Sequence, residues 1–146
     1  MTFGGAWSLT GPWSINNATL NLGGTFTTAG LNLPGFTRLN GGTVNLTGTL
    51  NNAAATLALT AATGSWNLLN GTINGGAVTL GGGSTLVTTT AGGTLASVAY
   101  GGDLVLSTTS SSVLVSGTTT FSAARLQGNN ATIQMAPGYT LTNLVV

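Results

Sequence analysis

Apolar residues along this chain alternate in short bursts, and a turn-forming residue cuts each burst off. Leu20 and Leu22, Leu31 and Leu33, Val44 and Leu46, Leu57 and Leu59, and Trp66 and Leu68 are each separated by one residue. Val78 and Leu80, Leu104 and Leu106, and Ile133 and Met135 continue the pattern. Period two over four or five residues, bounded by Gly, Asn or Ser–Thr clusters, predicts short strands. Asn52 to Ala62 offers a helical reading through its alanines, but Thr56 to Thr60 still alternates, so strand is expected there too.

The bursts repeat at long range. The stretches Asn16 to Leu22, Asn40 to Leu46, Asn70 to Gly75, Gly101 to Leu106 and Asn129 to Met135 align on a polar turn pair. Thr or Asp follows that pair, and then an aliphatic residue. The aligned positions Thr19, Thr43, Thr72, Asp103 and Thr132 recur at intervals of about 24–31 residues. An aromatic precedes several units: Trp13, Phe36, Trp66 and Phe121.

A period of that length, holding two or three short strands and Gly/Asn corners, suits one coil of a β-solenoid. The expectation is an all-β, single-stranded solenoid, a parallel β-helix of about five coils of 24–31 residues. It spans residues 1–146 as one domain or as a segment of a longer solenoid. Each strand would pair with its counterpart one coil away at about 4.8 Å, giving a rod on the order of 25 Å long. A β-sandwich would show hairpin turns between longer alternating strands. A membrane barrel would need strands of about 9–11 residues, and propeller blades run to about 40–50 residues.

Composition agrees with strands and corners: Thr is the commonest residue, Gly occurs 24 times, and Ser and Asn are frequent. Charge changes the picture more. Arg38, Asp103 and Arg125 are the only charged side chains, and Lys, Glu, His and Cys are missing. Without clustered Lys or Arg, the net charge of +1 attracts neither nucleic acid nor an anionic membrane. Apolar runs such as Leu57 to Leu59 and Val113 to Val115 are too short to cross a bilayer, so no membrane insertion is expected. The first residues, Met-Thr-Phe-Gly-Gly, carry neither the basic nor the apolar region of a signal peptide.

The same inventory weighs against an enzyme. Glycoside hydrolysis by the usual route uses two carboxylates, and the chain has only Asp103. One Asp does not hold Ca²⁺, and the serines have no His, Lys or Cys to activate them. Gly81-Gly82-Gly83-Ser84 lacks the lysine of a phosphate loop and reads as a corner. No catalytic residue, cofactor or metal site is expected. Trp13, Phe36 and Trp66 fit core or corner packing better than a sugar-binding stripe, because they alternate with aliphatics. Arg38 and Asp103 are expected to be solvated corner charges.

Units such as LNGGTVNLTGTL (Leu39 to Leu50) and NGTINGGAVTLGGGSTL (Asn70 to Leu86) resemble the β-helical passengers of bacterial autotransporters. They are equally similar to filamentous-haemagglutinin-type adhesins. The resemblance covers nearly the whole chain as repeat grammar. It implies a right-handed, three-sheet β-helix, an extracellular or cell-surface location, and adhesive or scaffolding roles.

Two function classes follow. In the first, the chain is structural material whose partner is itself, as a homo-oligomer or filament. Leu141, Leu144 and Val146 lie in an apolar C-terminal strand without charged gatekeepers and form the expected assembly end. In the second, Thr clusters recurring near the coil period, marked by Thr27, Thr56, Thr88 and Thr118, fall on one sheet. They would then offer a flat face to ice or to surface glycans.

Overall fold

The computed structural model describes all 146 residues, and the chain winds in coils of three short strands. The first coil holds β1 (Trp13–Asn16), β2 (Thr19–Leu22) and β3 (Thr25–Thr27), the second β4 (Phe36–Leu39), β5 (Thr43–Leu46) and β6 (Thr49–Asn51). The next are β7 (Thr56–Leu59), β8 (Trp66–Leu68) and β9 (Thr72–Asn74), then β10 (Ala77–Leu80), β11 (Leu86–Thr88) and β12 (Thr94–Ala96). The last turns comprise β13 (Ala99–Gly101), β14 (Leu104–Leu106) and β15 (Ser112–Ser116), followed by β16 (Ala124–Leu126), β17 (Thr132–Met135) and β18 (Leu144–Val145). Every strand pairing is parallel and joins one coil to the next, which makes the fold a β-solenoid of about six turns.

Three faces result. One sheet of six strands, β3-β6-β9-β12-β15-β17, runs the length of the molecule. A second face carries β2-β5-β8-β11 and then β14-β16-β18 as separate sheets, and the third carries β1-β4 and β7-β10-β13. Alternation decides which side chains turn inward. Phe26, Leu50, Ile73, Leu95 and Val115 stack as one buried row, and Leu20, Val44, Trp66 and Leu86 as another. Each such residue is almost wholly removed from water, and a buried aliphatic or aromatic side chain contributes roughly 1.5–3 kcal/mol. The packed rows are therefore the main source of stability.

The coil period is shorter than expected, and the coils number six rather than five. Thr25, Thr49, Thr72, Thr94, Leu114 and Gln134 stack in register, so each coil takes about 20–24 residues and the later coils are the shorter ones. Thr19 and Thr43 do stack on each other, but Thr72 stacks on Thr49 and Thr132 on Ser112. A corner followed by Thr and an aliphatic residue recurs on more than one face of a coil. The longer spacing read from the sequence is one coil plus the passage to the next face.

The strand expected at Leu31 and Leu33 is instead a one-turn helix, α1 (Thr28–Leu31), followed by a 3-10 turn at Leu33–Gly35. The Thr27 hydroxyl accepts from the Gly30 amide at 3.0 Å, and Asn32 takes the left-handed conformation that ends the turn. The strand expected within Asn52 to Ala62 is present as β7. Trp66 is fully buried, and Trp13 packs at a tilt against Phe36 with centroids 4.1 Å apart, so these aromatics pack core and corner.

Candidate functional site

The four threonines expected to share a face do not. Thr27 lies in β3, Thr56 in β7 and Thr88 in β11, on three different faces, and Thr118 sits in the turn after β15. Thr88 points into the core at 1% exposure, while the other three are exposed. The six-stranded face carries a different row, Thr25-Thr49-Thr72-Thr94, which gives way to Leu114 and Gln134. Its sequence signal is the recurring Gly-Thr dipeptide at Gly24, Gly48, Gly71 and Gly93. The row beside it reads Thr27, Asn51, Asn74, Ala96 and Ser116, so no uniform threonine plane forms.

Outward polar residues instead bond along the axis. Asn67 donates to Asn45 and Asn45 to Asn21, each at 2.8 Å, and Asn21 donates to Thr2 at 3.1 Å. Such a ladder satisfies stacked amides without charge.

At the C-terminal end, Leu144 lies in β18 at 52% exposure and Val146 is 89% exposed, and Met135 of β17, at the end of the six-stranded face, is 49% exposed. Leu141 is apart from this edge. It is half-buried against Thr119, Phe121 and Tyr139, and only Leu144–Val145 of the expected strand pairs, with β16. At the other end, Met1 to Trp7 adds part of a further rung along β2 and β3. An apolar cavity of about 360 Å³ opens there, lined by residues that include Phe3, Leu9, Trp13, Ile15 and Leu20.

The second face is interrupted between β11 and β14, where no ladder joins the strands. In the inward row Leu57-Val78-Tyr100, the last member, in β13, is the largest side chain. Tyr100, from the third face, lines the cleft at this interruption. Burial pushes its phenol up to about 12, and the Leu86 backbone beside it offsets that rise in part. The cleft holds about 230 Å³, with Leu80, Val87 and Val105 as apolar lining and Asp103, Ser107 and Gln127 as polar lining.

Two of the three charges meet here. Arg125 Nε donates to Asp103 Oδ2, whereas Arg38 reaches the Ser65 carbonyl at 2.8 Å on another coil. The expectation of two solvated corner charges is therefore corrected: Asp103 has a partner, though a different one from Arg38. Asp103 Oδ1, the Gln127 side-chain amide and the Ser107 hydroxyl have no protein partner.

No family model matches the chain, and no curated protein or solved structure matches it either.

Proposed function

We propose that the chain is non-catalytic structural material, a β-solenoid unit of a bacterial cell-surface adhesin or self-assembling extracellular filament. The observation that carries this reading is the state of the two ends. Each presents unpaired parallel strand edge beside apolar surface: the cavity bounded by Phe3, Trp13 and Leu20 at one, Met135, Leu144 and Val146 at the other. A further parallel coil is the element that satisfies both the backbone and the apolar surface, whether it belongs to the same polypeptide or to another copy. The near absence of charge supports it, because nothing repels an incoming coil. The lack of His, Lys, Glu and Cys supports a non-catalytic role.

Electron microscopy and light scattering over a concentration series test this reading. Filaments with an axial strand repeat of about 4.8 Å are expected. Leu144→Lys should reduce assembly sharply, because it places a charge on the pairing edge. Monodisperse monomers at every concentration would overturn self-assembly, and unchanged filaments in the variant would remove the C-terminal edge from the interface.

A further inference from the structure

We propose that the cleft between β11 and β14 binds one neutral sugar ring. This site lies on the side of the solenoid and does not depend on assembly through the ends. Tyr100 stands where Leu57 and Val78 stand on the preceding coils, and its buried ring lines the cleft between two strands that do not pair.

The lining is amphipathic in the way a pyranose is. A sugar ring has an apolar C–H face, and Val87 and Val105 offer apolar surface to it. Its hydroxyls each donate and accept. Asp103 Oδ1 is a free acceptor, while Gln127 and Ser107 can do both and their side chains are bonded to no protein group. Arg125 holds the carboxylate in place through Nε.

Charge and size narrow the ligand class. The Asp103 charge is balanced by Arg125, Arg38 lies on another coil, and the chain has no Glu, Lys or His to favour an anion or a cation. Drug-sized ligands occupy pockets of roughly 300–1,000 Å³, so about 230 Å³ suits one ring. Stability does not account for the ion pair. Its side chains are 38% and 31% exposed, and such pairs contribute about 0–1 kcal/mol.

The test is saturation-transfer NMR on the full chain with glucose, galactose, mannose and N-acetylglucosamine. At least one sugar should give a saturable response. Gln127→Ala, which removes no side-chain hydrogen bond within the protein, should weaken it about 3- to 10-fold, the loss of one hydrogen bond. Asp103→Ala should weaken it further, and Val105→Trp, which fills the cleft, should abolish it. Circular dichroism confirms folding; if Asp103→Ala does not fold, the other two variants decide. Leu144→Lys should bind as the parent does, so a failure of assembly and a failure of this site are separable. No saturable response to any of the four sugars, or an unchanged response in both Gln127→Ala and Val105→Trp, would overturn the proposal.

Discussion

Thr88 occupies an inward position that Leu22, Leu46 and Leu68 hold on the three preceding coils. Its hydroxyl is buried with no partner, and an unsatisfied buried group costs about 1–3 kcal/mol. Thr88→Val keeps the shape and removes that cost, so it should raise the urea midpoint, with a gain of about 1–2 kcal/mol. Tyr100 makes a second residue-level prediction. Its phenol stays protonated in the fold up to about 12, whereas in the unfolded chain it ionises near 10. The unfolded state therefore sheds a proton first, and stability present below pH 10 is lost as pH rises toward 12. The loss totals about 2–3 kcal/mol by linkage. Chemical denaturation between pH 9 and pH 12 should show that slope, and Tyr100→Phe should flatten it. Tyr139, also raised by burial, adds in the same direction.

At the scale of the element, the corner before each strand of the long face sets the spacing between coils. Gly48 and Gly71 lack side chains because there is no room for one. A Cβ on Gly48 would lie 2.3 Å from the Gly24 carbonyl oxygen, and on Gly71 it would lie 2.4 Å from that of Leu46. Gly48→Ala should therefore destabilise by about 1–3 kcal/mol, since backbone must shift. Gly81→Ala is the control, because its nearest neighbour stands at 3.9 Å and the change should be close to neutral in thermal melts. Legibility differs in the same way between elements. The strands at Leu20–Leu22, Val44–Leu46 and Leu57–Leu59 are readable because alternation is local. The turn at Thr28–Leu31 is not, since Leu31 and Leu33 alternate while a Thr27 cap and Asn32 close a helical turn. The coil period is hidden for another reason: Thr43 and Thr49 begin strands on adjacent faces with the same corner chemistry.

For the molecule as a whole, the scarcity of charge has a measurable consequence. Ion pairs are screened by salt, whereas stacked apolar rows and backbone ladders are not. With one ion pair in the fold, the melting temperature should change little between low salt and about 0.5 M sodium chloride. A large shift would mean that the Asp103–Arg125 pair carries far more stability than its exposure allows.

Sequence alone determined most of the strands, the existence of a coiled repeat and the parallel solenoid. Each follows from period-two alternation and from Gly and Asn at corners, which are properties of neighbouring residues. Only the tertiary structure decided which residues share a face. Thr27, Thr56, Thr88 and Thr118 separate, while Gly-Thr corners one coil apart align, because register depends on the length of every intervening turn. It also decided that Asp103 meets Arg125 beside Tyr100. That meeting follows from the register of β14 on β16, which sets Val105 against Arg125 one coil on, and the lengths of the intervening turns fix that register.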